Sequence, residues 1–387
     1  MNQLLHEAQD MMEALVSVRR TLHQCPELGF ELPKTTAFVA EELKRMGISS
    51  TPCAGGLTAL IGDPARGKTV LLRADLDALP MQEKSGLPFA VTGDACHACG
   101  HDIHTTMLLG AARMLKKRES ELKGAILLMF QPAEEIAMGA QAMLDEGLLK
   151  SHRIDAAFGI HVAPFQPSCR INLTPGNKTA SYDCFTVTFS GKGGHGAQPQ
   201  NTVDPINAAV HAYTALQALI SRECPPAEPA VLTIGSFHAG TAGNIIPDSA
   251  SFKGTIRAAS AEWRMFLRKR LVEICEGTAQ TLRAQASVEW QAQVPPLYND
   301  PELVKDALGW LREAGIDAND HVERLSASED FALVSELVPT VYLNIGSGLP
   351  EDGYAYGNHH PAVVYDEAIL PVGAAALAAC ALGRTGR

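Results

Sequence analysis

Three apolar runs in the first half of the chain each end in polar residues. Residues 69–72, 125–130 and 156–160 are almost continuously apolar, as in strands that are covered on both faces. Residues 105–117 and 138–149, which separate these runs, have the apolar spacing of helices. Strands that alternate with helices predict an α/β domain built on a mainly parallel sheet.

The polar residues at the strand ends are candidates for a shared site. Asp77 follows the first strand, Glu134 and Glu135 follow the second, and His161 follows the third. Ligands of parallel α/β sheets bind beyond the carboxyl ends of the strands. The pattern therefore predicts that these four side chains lie along one edge of the sheet.

The periodicity changes in the middle of the chain. Residues 185–189 alternate between apolar and polar, which is typical of a half-buried strand. Predicted elements then follow in the order β-α-β-β-α-β, the order of a ferredoxin-like unit. We therefore predict an α/β domain formed by residues 1–182 and 296–387, with residues 183–295 inserted as a second domain. The apolar spacing near the start of the chain also predicts one long helix over residues 3–24.

Composition and charge narrow the possible partners and location. The 387 residues carry a formal net charge of −11, which disfavours nucleic acids and anionic membranes as partners. No apolar run is long enough to cross a bilayer, and no basic region precedes an apolar core at the N-terminus, so we expect no secretory signal. Nine scattered cysteines are typical of free thiols in a reducing compartment. We therefore expect a cytoplasmic protein.

The segment His97-Ala-Cys-Gly-His-Asp-Ile-His104 concentrates groups that bind metals. It offers three imidazoles, one thiol and one carboxylate, and such groups are costly to bury without partners. Borderline divalent metals prefer thiolate, imidazole and carboxylate ligands. A polar loop whose histidines only cap the next helix is the alternative. The candidate ligands at the strand ends favour the metal site.

The adjacent carboxylates of Glu134 and Glu135 suggest two separate roles in amide hydrolysis. One carboxylate would bind a metal, and the other would take a proton from water and later give it to the leaving nitrogen. Two metals would polarise the carbonyl and activate the water. The alternative for such a pair is a solvated helix start, but its position after a buried strand favours a site.

An ordered set of motifs extends over nearly the whole chain. The motifs are Arg73-Ala-Asp-Leu-Asp-Ala-Leu-Pro80, His97-Ala-Cys-Gly-His-Asp-Ile-His104, Gln131-Pro-Ala-Glu-Glu135, Gly159-Ile-His161, Gly194-His-Gly-Ala-Gln-Pro199, Gly243-Asn-Ile-Ile-Pro-Asp248, Gly254-Thr-Ile-Arg257, Ser328-Glu-Asp-Phe331 and His359-His-Pro361. Together they resemble the aminoacylase and hippurate hydrolase family of dinuclear metallo-amidohydrolases. One such motif would say little, but the complete set in family order is specific.

The resemblance implies a metal-binding catalytic α/β domain, an inserted lid or dimerisation domain, and two divalent metal ions per chain. The metal ligands that it implies are Cys99, His101, Glu135, His161 and His359. It makes Glu134 the general base and Asp77 a supporting carboxylate. In the inserted domain it implies His195 as a catalytic group, with Asn244 and Arg257 binding the substrate.

Some features of the ligand set stay open. Asp75 stands where the wider superfamily has a histidine, and Cys99 stands about where it has a bridging aspartate, so the identity of the bridge is undecided. His359 is chosen over His360 because the family pattern is His-x-Pro. The donor types would accept manganese, zinc, cobalt or nickel.

We therefore expect a metal-dependent hydrolase that releases a carboxylic acid and a free amino acid from N-acyl amino acids, such as N-benzoyl or N-acetyl conjugates. A homodimer or dimer-based oligomer is expected. An N-acetyl-diaminopimelate deacetylase or a small-dipeptide hydrolase is the narrower alternative. An enzyme with Cys99 as nucleophile would leave the other candidate ligands and Glu134 unexplained. A non-catalytic binding protein on the same fold would be expected to lose Glu134.

Overall fold

The computed structural model describes residues 3–150, 152–322 and 327–386. The chain divides into two compact units. The first contains the described residues of Met1–Lys178, Tyr298–Glu323 and Leu333–Arg387, and the second those of Thr179–Leu297 and Arg324–Ala332. Among the described residues, no helix has the length and apolar character needed to cross a membrane. The lid or dimerisation role of residues 183–295 stays a prediction.

The helices and strands are numbered in chain order. The helices are α1 (Leu4–Gln9), α2 (Met12–His23), α3 (Pro33–Arg45), α4 (His101–Lys116), α5 (Gly139–Asp145), α6 (Pro205–Ala218), α7 (Ala261–Thr281), α8 (Pro301–Glu313), α9 (Ala332–Ser335) and α10 (Ile369–Thr385). The strands are β1 (Ser50–Cys53), β2 (Gly56–Gly62), β3 (Lys68–Asp75), β4 (Gly124–Gln131), β5 (Ala156–Ala163), β6 (Ile171–Asn172), β7 (Gly176–Asn177), β8 (Tyr182–Ser190), β9 (Gly194–His195), β10 (Ala230–Ala239), β11 (Ile245–Ile246), β12 (Ser249–Ala258), β13 (Gln285–Val294), β14 (Tyr298–Asn299), β15 (Ala318–Asn319) and β16 (Thr340–Gly346).

The first unit is built on a large sheet with the predicted parallel centre. Among the described residues, eight strands form it in the order β1-β2-β4-β3-β5-β16-β6-β15. The pairs β4–β3, β3–β5 and β5–β16 are parallel, whereas β1–β2 and β2–β4 are antiparallel. The prediction of an α/β fold with a mainly parallel sheet is confirmed. The parallel centre brings the carboxyl ends of β3, β4 and β5 to one edge.

The central strands consist almost entirely of apolar residues because their side chains are buried along the whole strand. All eight positions of β4 are buried, and residues 369–382 of α10 are buried as well, because α10 and α4 pack together over β3. The approach of these two helices depends on Gly110. A Cβ atom at Gly110 would lie 2.8 Å from the Ala374 Cβ and 2.9 Å from the Leu15 Cδ2, so a side chain there would force the helices apart.

The second unit has the element order β8-α6-β10-β12-α7-β13, the β-α-β-β-α-β order that the sequence predicts. Its sheet has the order β10-β12-β8-β13, and every pair is antiparallel. A core that includes Phe185, Phe252 and Leu267 packs between the sheet and its helices. Asp183 on β8 accepts hydrogen bonds from Arg264 at 2.8 and 2.9 Å, which ties α7 to the sheet.

The predicted helix over residues 3–24 is wrong as a single element. It is broken between α1 and α2, where Met11 has φ −93° and ψ 4°. The Met11 N–H donates to the carbonyl of Ala8 at 3.0 Å, three residues back rather than four. The break lets α1 and α2 each pack separately against α4 and α10. The burial of an apolar face on each short helix thus stabilises the chain more than one continuous helix over residues 3–24 would.

Candidate metal centre

A glycine turn before α4 presents Cys99 and His101 beside the end of β5. Gly100 joins them with φ 84°, in the left-handed region that favours glycine. A Cβ atom at Gly100 would lie 2.7 Å from the Val162 Cγ2, so any side chain there would push the turn away from β5. The close approach places the Cys99 Sγ 3.5 Å from the His161 Nε2.

Asp77, just after β3, positions the glutamate pair that follows β4. Its Oδ1 accepts the backbone N–H of Glu134 at 3.0 Å, and its Oδ2 accepts that of Glu135 at 3.1 Å. The His101 Nδ1 lies 3.5 Å from the same Oδ1 atom, slightly beyond ordinary hydrogen-bond length. One buried carboxylate thus organises residues from two other segments. Asp77, Glu134 and Glu135 therefore lie together at the ends of β3 and β4, as the sequence pattern predicts.

Two groups of candidate metal ligands share Cys99. Within each group the ligand atoms lie within 4.8 Å of one another: Cys99, His101 and His161 form one group, and Cys99, Glu135 and His359 form the other. The His359 Nε2 lies 3.4 Å from the Glu135 Oε2. The two groups contain all five residues that the resemblance implies as ligands. Their binding of metal stays a prediction.

Unsatisfied polar atoms test whether these residues suit a cation. Both ring nitrogens of His101 and the Oε1 of Glu135 are buried, and these three atoms have no hydrogen-bond partner among the described residues. Buried polar groups are nearly always paired, because leaving them unpaired costs free energy. A divalent cation would satisfy them, and thiol, imidazole and carboxylate form a suitable donor set. The residues therefore fit a metal site.

The protonation of His161 suits a ligand. Its Nδ1 lies 2.7 Å from the Val162 carbonyl oxygen, which can only accept, so the Nδ1 carries the proton and the lone pair of the Nε2 faces the Cys99 Sγ. Burial holds the pKa of His161 well below its ordinary value, and the neighbouring His104 adds to this effect. The imidazole is therefore neutral at physiological pH.

A charged network that the sequence pattern does not predict adjoins these ligands, with the Asp75 Oδ2 3.6 Å from the His101 Nε2. The His104 Nδ1 donates to the Asp75 Oδ1 at 2.7 Å, and the His104 Nε2 accepts the Val162 N–H at 3.0 Å. Arg73 donates to the Asp75 Oδ2 at 2.8 Å. Burial alone would raise the pKa of Asp75, but the Arg73 guanidinium and the nearby imidazoles hold it well below its usual value. A charged Arg73 inside an otherwise apolar strand was the available signal.

A second network of charged side chains contacts the start of α4. The His23 Nδ1 lies 2.8 Å from the Asp102 Oδ2, and its Nε2 lies 3.1 Å from the Glu83 Oε1. The Arg19 Nε donates to the same Asp102 oxygen at 2.9 Å. Asp102 directly follows the candidate ligand His101, so this network fixes the backbone from which that ligand projects.

The loop that carries His359 is tied to the Cys99 turn. The His359 N–H donates to the Ala98 carbonyl at 2.8 Å, and the Tyr365 hydroxyl lies 3.0 Å from the same oxygen. His359, with φ 64°, lies in a candidate ligand group. The neighbouring His360 instead stacks on Tyr356, with ring centroids 4.1 Å apart and an interplanar angle of 4°.

In the second unit the structure brings together only two of the three predicted substrate residues. His195 on β9 pairs with Ile245 on β11, and the Gly196 N–H donates to the Asn244 carbonyl at 2.9 Å, so His195 and Asn244 share one exposed ribbon. Arg257 lies near the far end of β12, with its Cζ 4.9 Å from the centre of the Tyr182 ring.

The distance along β12 separates Arg257 from that ribbon. The ribbon adjoins Ser249, the first residue of β12, which pairs with the last residue of β8. Arg257 comes eight residues later, which at about 3.4 Å per residue is about 27 Å. The structure therefore places Arg257 and the His195 ribbon at opposite ends of the strand. Their contacts with substrate stay predictions.

A thiol, imidazoles and carboxylates gathered at the carboxyl edge of a mainly parallel sheet define the class of α/β metallohydrolases. The chain belongs to the peptidase family M20/M25/M40, which matches residues 71–383. It is therefore a metal-dependent hydrolase of amide bonds.

Individual relatives agree with this membership. The chain is 39% identical over 362 residues to the N-acetyl-L-cysteine deacetylase of Bacillus subtilis, covering 92% of this chain and 84% of the relative. It is 37% identical over 386 residues to the IAA-amino acid hydrolase ILR1-like 4 of Arabidopsis thaliana, covering 96% and 85%. A crystal structure of the Bacillus subtilis YXEP protein, described as a dinuclear metal binding peptidase from the M20 family, matches with a TM-score of 0.81 at 34% identity, covering 97% of this chain and 98% of that chain.

Proposed function

We propose that this protein hydrolyses the amide bond of N-acyl amino acids and releases a carboxylic acid and a free amino acid. The observation that carries the proposal is the pair of candidate ligand groups that share Cys99 next to Glu134. Relatives named as an N-acetyl-L-cysteine deacetylase and an IAA-amino acid hydrolase support this substrate class.

In this proposal two divalent cations bind to each chain, with Cys99 as the shared ligand. His101 and His161 complete the first set, and Glu135 and His359 complete the second. Manganese, zinc, cobalt and nickel all suit these donors. When bound, the cations polarise the substrate carbonyl and lower the pKa of a water molecule.

Glu134 acts as the general base of the proposed reaction. Its backbone is held by Asp77 at 3.0 Å, and its Oε2 lies 3.9 Å from the His101 Nε2, so the carboxylate faces the candidate ligands. It accepts a proton from the attacking water as the water oxygen bonds to the carbonyl carbon. It then donates that proton to the amide nitrogen as the carbon–nitrogen bond breaks.

The alternative in which Cys99 is the nucleophile is disfavoured by its surroundings. Burial, reinforced by the nearby Glu135 carboxylate, raises the pKa of the Cys99 thiol well above its usual value. Only the thiolate is an effective nucleophile. In the absence of a cation, this thiol therefore lacks the activation that a catalytic cysteine needs.

We further propose that the enzyme works as a homodimer in the cytoplasm. Arg257 and the His195 ribbon lie at opposite ends of β12, farther apart than the length of a small N-acyl amino acid, so two copies of the chain are the simplest way for both residues to serve one substrate. All nine cysteines are free, which supports a reducing compartment.

An activity panel after metal reconstitution tests the proposed function. The protein is stripped with a chelator, reloaded with manganese, zinc, cobalt or nickel, and given hippurate, N-acetyl amino acids and small dipeptides. We expect release of the free amino acid from the N-acyl amino acids only in metal-loaded samples. Full activity in the stripped sample, or no hydrolysis with any metal despite full metal loading, would refute the proposal.

A further inference from the structure

His359 differs from the other candidate ligands in its exposure. Its side chain is 54% exposed, whereas those of Glu135 and His101 are 7% and 0% exposed. Close packing restricts the two buried side chains, but much of the His359 ring lies in solvent. The position of this ring therefore depends on the backbone that carries it.

The backbone of His359 has an unfavourable conformation. Its φ of 64° lies in the left-handed region, which costs free energy for a residue other than glycine. Such residues persist only where surrounding contacts hold them in place. The contacts of the His359 segment are therefore part of what forms the candidate site.

Two of these contacts converge on the carbonyl oxygen of Ala98. The His359 N–H donates to this oxygen at 2.8 Å, and the Tyr365 hydroxyl lies 3.0 Å from it. A carbonyl oxygen has two lone pairs and can accept both hydrogen bonds. Because Ala98 directly precedes Cys99, this oxygen joins the loop of one candidate ligand to the turn that carries another.

The Tyr365 hydroxyl also contacts the residue before His359. Its oxygen lies 2.9 Å from the Asn358 Oδ1, but its single hydrogen can be donated to only one acceptor. Rotation of the Asn358 amide lets the NH2 group donate to the hydroxyl oxygen while the hydroxyl donates to Ala98, so both contacts can form together. The hydroxyl thus links the two ligand-bearing segments.

The buried position of Tyr365 makes it a rigid anchor for the exposed loop. The residue is 4% exposed, and a Cβ atom at Gly100 would lie 3.6 Å from its Cε2 and Cζ atoms, so the ring packs against the left-handed turn. The N–H of the next residue, Asp366, donates to the Ser347 carbonyl at 3.1 Å, just after β16. A hydroxyl held in this way can fix the loop beside it.

We propose that Tyr365 is a positioning residue for His359, and that its hydroxyl holds the exposed loop against the Cys99 turn. The Nε2 of His359 then stays 3.4 Å from the Glu135 Oε2, and the second ligand group is assembled before a cation binds. Such preorganisation raises affinity, because binding need not order the loop. This inference rests on the two ligand groups of the proposed function.

Cobalt binding to the chelator-stripped protein tests this role without a catalytic assay. Tyr365→Phe removes the hydroxyl and keeps the buried ring. We expect calorimetry to resolve two cobalt ions per wild-type chain, and the binding event that His359→Ala weakens identifies the second group. Tyr365→Phe should weaken that event about tenfold, the order of effect seen when a residue that supports a metal ligand is removed, and should leave the other event unchanged.

A double-mutant cycle separates positioning from a general structural effect. Because the hydroxyl acts through His359, Tyr365→Phe in a His359→Ala background should change the affinity for the second cobalt ion by less than about twofold. Asn358→Ala removes one hydrogen bond from a partly exposed loop, and it should weaken the second event about fivefold.

Tyr356→Phe is the matched control, because it deletes a hydroxyl from the same loop. The Tyr356 ring stacks on His360, which is not a candidate ligand, so both cobalt events should be unchanged. An equal effect of Tyr356→Phe would overturn the role of Tyr365. An unchanged second event in Tyr365→Phe, an equal loss at both ions, or a tenfold loss that persists in the His359→Ala background would overturn it too.

The remaining outcomes also decide the proposal. If Tyr365→Phe does not fold, an unchanged second event in Asn358→Ala overturns the proposal by itself. A single cobalt ion per wild-type chain that His359→Ala does not affect would overturn it and remove the second ligand set of the proposed function. The expected cobalt pattern in a protein whose wild type hydrolyses no N-acyl amino acid would support the role of Tyr365 and refute the proposed function.

Discussion

Replacement of His23 by glutamine should remove a pH-dependent part of the stability of the first unit. Both ring nitrogens of His23 face carboxylates, Asp102 at 2.8 Å and Glu83 at 3.1 Å, so both can donate only when the imidazole is protonated. Burial alone would lower the pKa of His23, but these two hydrogen bonds outweigh it and raise the pKa from 6.5 to about 9. The folded state therefore binds the proton more tightly than the unfolded state.

The size and sign of the effect follow from this shift. The rise in the pKa of His23 from 6.5 to about 9, at about 1.4 kcal/mol for each tenfold change in proton affinity, corresponds to about 3.5 kcal/mol of unfolding free energy. Because the folded pKa lies above the unfolded one, this stabilisation is fully present below about pH 6.5. It is lost progressively as the pH rises from 6.5 through 9. The His23→Gln variant cannot take up this proton and lacks the dependence.

Urea unfolding at pH 6 and pH 9.5 measures the effect. Trp310 is the tryptophan of the first unit, whereas Trp263 and Trp290 belong to the second, so a background with Trp263→Phe and Trp290→Phe reports on the first unit by fluorescence. We expect the difference in unfolding free energy between wild type and His23→Gln to shrink by about 3 kcal/mol at the higher pH.

The exposed His6 provides the control, since it lies in the same unit without the buried carboxylate partners. The difference in unfolding free energy between the wild type and His6→Gln should be the same at pH 6 and pH 9.5. If the His23→Gln difference were equally independent of pH, the assignment of a protonated His23 in the folded state would be wrong.

Further predictions concern the proposed chemistry. Glu134→Gln should lower kcat at least about 100-fold while elemental analysis finds the metal content unchanged; more than a tenth of the wild-type kcat would contradict its role as general base. Cys99→Ala should reduce the metal stoichiometry. Because burial raises the pKa of the Cys99 thiol, metal binding by the wild type should also release a proton from it. Calorimetry in buffers of different ionisation enthalpy measures this proton release. Arg257→Ala should raise KM for N-acyl amino acids by an equivalent of about 1.5–3 kcal/mol and spare N-acyl amines; equal losses on both would refute a carboxylate contact. His195→Ala should lower kcat, and mixed dimers with Glu134→Gln should recover activity if His195 serves the partner's site; verified mixed dimers without recovery would exclude that arrangement.

The hydrophobic pattern was sufficient to predict the architecture of each unit. A strand that is buried on both faces, such as β4, needs consecutive apolar residues. The half-buried β12 instead needs alternating apolar and polar residues, and its Phe252 and Ile256 are buried between more exposed neighbours. These periodicities are local, so they can be read without knowing the fold. The same locality made the polar ends of β3, β4 and β5 visible as a candidate site.

The local pattern failed where packing between distant segments decided the outcome. The break at Met11 exists because α1 and α2 each find their own contacts with α4 and α10. The network of His23 with Asp102 joins residues 79 positions apart, and that of His104 with Asp75 joins residues 29 positions apart. Nothing in the neighbouring sequence encodes such pairs.

The sequence by itself therefore determined the fold class and supplied the candidate site residues. The tertiary structure decided their arrangement: that Cys99 lies in both ligand groups, that His359 and not His360 faces Glu135, and that Arg257 lies at the opposite end of β12 from the His195 ribbon. The physical reason is that ligand-atom distances depend on turn conformations, such as the left-handed Gly100, and on the register of strands that meet only in the folded chain.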